Sequence, residues 1–209
     1  MCALKRIALY GGTFDPVHVG HLEIARRVSD VFEIEKVVFI PAQMAPHKIG
    51  RPVTEPIHRY AMLALATQDD PRLLVSTYEL DDPDRRYTVD TVEHFQRELN
   101  DLTELFFIMG ADSWSEITTW REWERLLTMT NHIVVTRPGA ELTKSHVGVH
   151  GERVFFTDVV MNDVSATKIR RLASEGRMDE LVNLLPGPVL EYIKKYEIYR
   201  ELNEAKLNS

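Results

Sequence analysis

The sequence runs to 209 residues, 44% of them apolar and 27% charged, a globular composition with enough chain to bury one sizeable core. Its 25 Lys and Arg against 32 Asp and Glu leave a net charge of −7, which disfavours bulk attraction to nucleic acid or an anionic bilayer, so an anionic ligand has to be met by local positive groups. The single cysteine, Cys2, excludes an internal disulfide and any cysteine-built zinc or iron–sulfur site.

In chain order, the short apolar run Lys5 to Tyr10 stops at two glycines and predicts a buried parallel strand. Leu22, Ile24, Ala25, Val28 and Phe32 then recur at helical spacing before the next apolar run, Lys36 to Pro41, which makes a βαβ unit. Strands are expected at Leu73 to Ser76, Leu105 to Met109, His132 to Thr136 and Val154 to Phe156. Helices are expected near Pro56 to Thr67, Thr91 to Leu99 and Trp120 to Leu127. This alternation predicts an α/β fold, a doubly wound, Rossmann-like parallel sheet. Ala166 to Ser174, Met178 to Leu184 and Pro188 to Arg200 carry helical periodicity, and predict a helical end-piece over about 164–200. No low-complexity linker or repeat divides the chain, so one domain over 1–209 is expected. The loop Gln43 to Glu55 is the candidate mobile segment, and Glu201 to Ser209 is expected to fray. The apolar start is too short for a secretion signal, and no segment approaches the roughly 18 apolar residues of a membrane span. A reducing cytoplasm is the expected setting, with neither nucleic acid nor membrane as partner. The oligomeric state stays open, a homo-oligomer included.

Neither G-x-x-x-x-G-K-[ST] nor G-x-G-x-x-G occurs, which weakens kinase and dehydrogenase readings. The first strand leads instead into GGTFDPVHVGHL, Gly11 to Leu22. Paired glycines permit close backbone approach, and a helix beginning near the second histidine offers N–H groups to an anion. His18 and His21, three apart, can point together towards a phosphate, with Gly20 expected to let the ligand reach the backbone. The lesser alternative is a metal site built from Asp15, His18 and His21, which lacks an evident fourth ligand. Near the far end, Ser165 and Thr167 open a helix with hydroxyls and N–H groups, and Arg170 follows one turn later with a planar fork for phosphate oxygens. Taken alone, S-x-T is an N-cap.

GGTFDPVHVGH resembles the signature of the nucleotidyltransferase superfamily that shares its fold with class I aminoacyl-tRNA synthetases. DVSATKIRR, Asp163 to Arg171, is similar to the S-[SA]-T-x-I-R element of its adenylyltransferases. Within that superfamily PHK (46–48), YTVDT (87–91), GADSW (110–114), Trp120 in TTWREW and RPG (137–139) resemble the nicotinate-nucleotide adenylyltransferase family. The resemblance covers the chain from the first strand to about Tyr199.

What the resemblance implies is transfer of AMP from ATP to nicotinate mononucleotide, giving nicotinate adenine dinucleotide and pyrophosphate, with adenylyl transfer to nicotinamide mononucleotide or phosphopantetheine, or a non-catalytic nucleotide sensor, as the alternatives. His18, His21, Lys48 and Arg170 would surround the reacting phosphates. ATP would lie against Gly11, Gly12, Thr13, Phe14, Gly110, Asp112, Ser165 and Thr167, with Mg²⁺ held mainly by its own phosphates. Thr88 would sit beside the pyridine carboxylate and Trp120 would stack on the ring. Each assignment has a plainer alternative: a helix cap for Asp112, core packing for Trp120 as for Trp114 and Trp123, a solvated loop lysine for Lys48. Arg59 and Arg137 are phosphate contacts or surface charges. Arg121 departs from the aromatic residue that often follows the stacking tryptophan, and either favours an acidic ring substituent or faces solvent.

Overall fold

A computed structural model describes residues 5–43, 53–82, 87–99, 102–136, 148–158 and 164–200. Six strands, β1 (Lys5–Gly12), β2 (Lys36–Pro41), β3 (Leu73–Val75), β4 (Thr103–Gly110), β5 (Asn131–Val135) and β6 (Val154–Thr157), pair in the order β3-β2-β1-β4-β5-β6. Every neighbouring pair is parallel. Parallel strands require crossovers, and helices α1 (Val19–Phe32), α2 (Pro56–Thr67), α3 (Thr88–Glu98), α4 (Ala111–Ser115) and α5 (Trp123–Met129) intervene. Two further helices, α6 (Ala166–Ser174) and α7 (Gly187–Lys195), follow β6.

The pleat sends alternate residues of each strand to opposite faces. Ala8, Tyr10, Phe106 and Ile108 join α1, α2, α6 and α7 in one apolar core. Leu9, Leu105, Phe107 and Met109 join Val92, Trp114, Ile117, Leu126 and Leu127 in the other. Chain direction across the sheet reverses at β1, which lies between β2 and β4. The carboxyl ends of β1 and β4 therefore flank the switch crevice where doubly wound folds bind ligands.

Several boundaries differ from the sequence reading for local reasons. Strand β1 runs through the glycines, since Gly11 and Gly12 still pair with Ile40 and Pro41. Trp120 to Leu127 is not one helix: Trp120 closes a 3₁₀ turn over Ile117–Thr119, its N–H donating to the Ile117 carbonyl at 3.0 Å, and Glu122 is left-handed at φ 51° before α5 begins. Met178–Leu181 forms only a tight 3₁₀ turn between left-handed Gly176 and the Pro186 stop. Helix α7 ends at Lys195, and positive φ at Glu197 and Tyr199 folds the following chain back. Among the described residues no helix is long and apolar enough to cross a membrane.

Candidate active site

The register between β1 and β4 matches Tyr10 with Ile108, so the same offset carries Gly12 level with Gly110 at the crevice. Beyond Gly12 the chain leaves the sheet through Thr13 and left-handed Phe14, φ 50°. Phe14 is buried, with its ring 5.5 Å from Tyr10 and 5.0 Å from His21, both edge-on. At this position only backbone remains to offer a ligand. The Gly12 reading acquires a physical cause here: a Cβ at Gly12 would lie 2.8 Å from the Phe14 ring. The glycine first makes room for the protein's own aromatic packing.

His18 is the N-cap of α1, and the His18 and His21 rings stack with centroids 3.7 Å apart. The His18 backbone N–H donates to His21 Nδ1 at 3.2 Å, which leaves the proton of a neutral His21 ring on Nε2. His18 is 7% exposed, and burial pushes its pKa down to about 4, so the ring is neutral near pH 7. Among the described residues its buried Nδ1 has no hydrogen-bond partner. Gly20 also makes room for this ring, since an added Cβ would sit 3.2 Å from His18 Nδ1.

The second signature meets the first. Val164 lies 3.8 Å from the same Cβ position at Gly20. Ser165 caps α6, its hydroxyl accepting from the Lys168 N–H at 3.2 Å. Arg170 spans both signatures, with Nη1 donating to the Asp15 carbonyl at 2.7 Å and Nη2 to the Thr167 hydroxyl at 3.3 Å. Two lengths of chain 155 residues apart thus become one wall.

Sequence reasoning missed the frame behind this wall. Arg59, 1% exposed, is not a surface charge. Its Nε donates to the Thr54 carbonyl at 2.9 Å, Nη1 to Thr13 at 2.9 Å and Nη2 to Gln43 at 3.2 Å. Burial lowers its pKa, while Asp15 acts in the opposite direction. Asp15 is engaged within the protein: its Oδ1 accepts from the Tyr199 hydroxyl at 2.7 Å and its Oδ2 from the Thr54 N–H at 3.3 Å. Arg59 carried one sequence signal, a charge on the same helical face as buried Met62 and Leu63.

The second half of the crevice is looser. Gly110 is exposed, with open space where a Cβ would be, and Asp112 is exposed in the first turn of α4, whose N-cap is Gly110. Asp112 is therefore not the cap. Thr88 begins α3. Trp120 is half-buried edge-on to Phe107 at 6.4 Å, and its buried indole Nε1 has no hydrogen-bond partner among the described residues. Arg121, next to Trp120, places its guanidinium 4.9 Å from the centroid of the ring of Tyr87, next to Thr88. That contact brings the start of α3 beside the turn that carries Trp120. Arg121 also faces Asp90 at 4.0 Å and Glu122 at 3.5 Å while its side chain stays more than half exposed, so it meets solvent and these partners together. Trp114, 1% exposed, is core. Lys48 and Arg137 lie outside the described residues.

A doubly wound sheet with a paired-histidine turn and an arginine-bearing helix at its switch crevice defines a nucleotide-binding transferase class. The comparisons place it further: residues 9–172 match the cytidylyltransferase-like family, and with relatives about 40% identical over nearly its full length the chain belongs to the nicotinate-nucleotide adenylyltransferase branch of that family. A Thermoanaerobacter protein named a probable nicotinate-nucleotide adenylyltransferase is 40% identical over 95% of this chain and 96% of its own length. A Thermus thermophilus protein of the same name is 41% identical over 93% of this chain and 100% of its own. The Plasmodium falciparum nicotinic acid mononucleotide adenylyltransferase, solved in complex with NaAD, shares the fold at TM-score 0.76 and 20% identity, over 93% of this chain and 97% of that one.

Proposed function

We propose that this protein transfers the adenylyl group of ATP to the 5′-phosphate of nicotinate mononucleotide, a step of NAD biosynthesis carried out in the cytoplasm. The observation that carries the reading is the junction of the two signatures, in which Arg170 and the stacked His18–His21 pair share one loop at the switch crevice. Full-length similarity to relatives of that name supports the choice of acceptor.

The acceptor phosphate is an oxyanion at neutral pH, so the protein supplies position and charge stabilisation rather than a strong base. A phosphate oxygen of the mononucleotide attacks the α-phosphorus in line and forms the new P–O bond. The α–β bridging bond breaks, and pyrophosphate leaves with its electron pair. His18, His21, Arg170 and Lys48 surround the oxygens on which charge grows. Neutral His18 acts as a hydrogen-bonding group whose proton affinity rises when an anion arrives. Gly11 to Phe14, Ser165 and Thr167 line the phosphate side, and Gly110 and Asp112 the nucleoside side. Thr88 and Trp120 receive the pyridine.

Among the described residues no group of three His, Cys, Asp or Glu is placed to hold a metal ion, and the side chains around the cradle suit anions. Mg²⁺ enters as part of the nucleotide substrate, neutralising phosphate charge. The test is pyrophosphate release, expected with ATP, Mg²⁺ and nicotinate mononucleotide and lost when ATP, Mg²⁺ or the mononucleotide acceptor is left out. Release with phosphopantetheine in place of the mononucleotide would replace this acceptor assignment, and no release with any acceptor would remove the reading.

A further inference from the structure

The family match ends at residue 172, yet the chain beyond α7 returns to the first signature. Glu197 and Tyr199 both adopt left-handed backbone, at φ 50° and 70°. A bulky aromatic residue rarely occupies that region and persists there only where its surroundings hold it. What holds Tyr199 is Asp15: the hydroxyl donates to Oδ1 at 2.7 Å across 184 residues. Burial first, and Asp15 second, push the Tyr199 pKa far above its ordinary value, so the hydroxyl remains a donor.

Asp15 is the point at which the cradle is fixed from all sides. Its second oxygen takes the Thr54 N–H, its main-chain carbonyl takes Arg170, and Arg59 supplies the opposing charge while holding Thr13. Three residues further on stands His18. We propose that Tyr199 is a positioning residue for the phosphate cradle: its hydroxyl locks the Asp15 carboxylate, and through Asp15 the Arg170 fork and His18 are held where the phosphates of the nucleotide bind. The inference rests on the functional reading only in taking the Gly11 to His21 turn as the phosphate site. Tyr199 touches no substrate in this account.

The experiment compares Tyr199→Phe, Asp15→Ala and the double variant by calorimetric ATP binding without acceptor and by steady-state pyrophosphate release. Tyr199→Phe keeps the ring and loses one hydroxyl. It is expected to bind ATP or turn over about tenfold less well, on the scale of a sub-ångström misplacement of reacting groups, with acceptor KM within about twofold of wild type. The double variant is expected to be no worse than the weaker single, because both remove the same tie. Wild-type ATP affinity and kcat in Tyr199→Phe overturn the proposal, as do losses that multiply in the double variant or a parallel rise in acceptor KM, the mark of general loosening. Should Tyr199→Phe melt below the assay temperature, Asp15→Ala decides alone: undiminished ATP binding overturns the inference. ATP binding is read without acceptor, so a wrong acceptor assignment, visible as an inactive wild type, is separable from failure here.

Discussion

The two ends of the crevice are built by different means. At the phosphate end, buried or half-buried side chains bond to backbone carbonyls and to one carboxylate, drawing together Thr13, Asp15, Gln43, Thr54, Arg170 and Tyr199. At the acceptor end, Trp120 meets Phe107 edge-on, and Arg121 reaches Tyr87 and two carboxylates through contacts that water shares. Buried bonds to backbone hold one geometry, because each lost partner leaves an unsatisfied group. Half-exposed stacking and ion pairs permit substitution at small cost. On the proposed function this is a division of labour, with phosphate chemistry assigned to the locked end and acceptor choice to the adjustable one.

The contrast breaks most sharply at the histidines. His18→Ala and His21→Ala are expected to lower kcat by about 10²-fold or more while leaving a folded protein, the scale of removing one oriented donor. Single-turnover rates with thermal melting check this, and near-normal kcat in either variant would remove that histidine from the chemistry. Next comes Arg170→Lys, which keeps the charge and loses the fork that serves Asp15 and Thr167 together. ATP affinity or turnover is expected to fall about tenfold with acceptor KM unchanged, and equal ATP dependence would return α6 to ordinary capping.

Effects at the acceptor end are expected to be smaller. Trp120→Ala removes stacking common to nicotinate and nicotinamide mononucleotides, so both KM values rise together by about three- to tenfold. Arg121→Ala loses one cation–π contact and two half-exposed ion pairs, giving about threefold in acceptor KM that shrinks at high salt. A tenfold salt-independent loss in Arg121→Ala would show that this end is as firmly held as the other, and the comparison would fail.

How much of this was legible in the sequence follows the range of the interactions. All six strands lie within two residues of the expected runs, since a fully buried parallel strand must be continuously apolar. The stacked histidines and the Ser165 cap were readable because their partners are three residues away. Helix α3 begins at Thr88 rather than Thr91 because its first turn is polar and carries no apolar period. The packing role of Gly20 went unread because the ring it accommodates belongs to the protein. Arg59 and Tyr199 went unseen because their partners lie far along the chain, and no local pattern announces a bond across 184 residues. The Arg121 contact with Tyr87 is of the same kind.

The central claim, that this is an adenylyltransferase for the acid mononucleotide, is tested most directly by wild-type kcat/KM for nicotinate against nicotinamide mononucleotide. The two share ring, ribose and phosphate, so Trp120 does not separate them, and the ring substituent must. A carboxylate only accepts hydrogen bonds, whereas an amide also brings two donors, which beside Thr88 would face the N–H groups at the start of α3. One buried mismatch is worth about 1–3 kcal/mol, or roughly ten- to a hundredfold. The account predicts that kcat/KM favours nicotinate mononucleotide by at least about tenfold. Equal values for acid and amide would contradict it, leaving the phosphate cradle and the adenylyl transfer in place with a different acceptor.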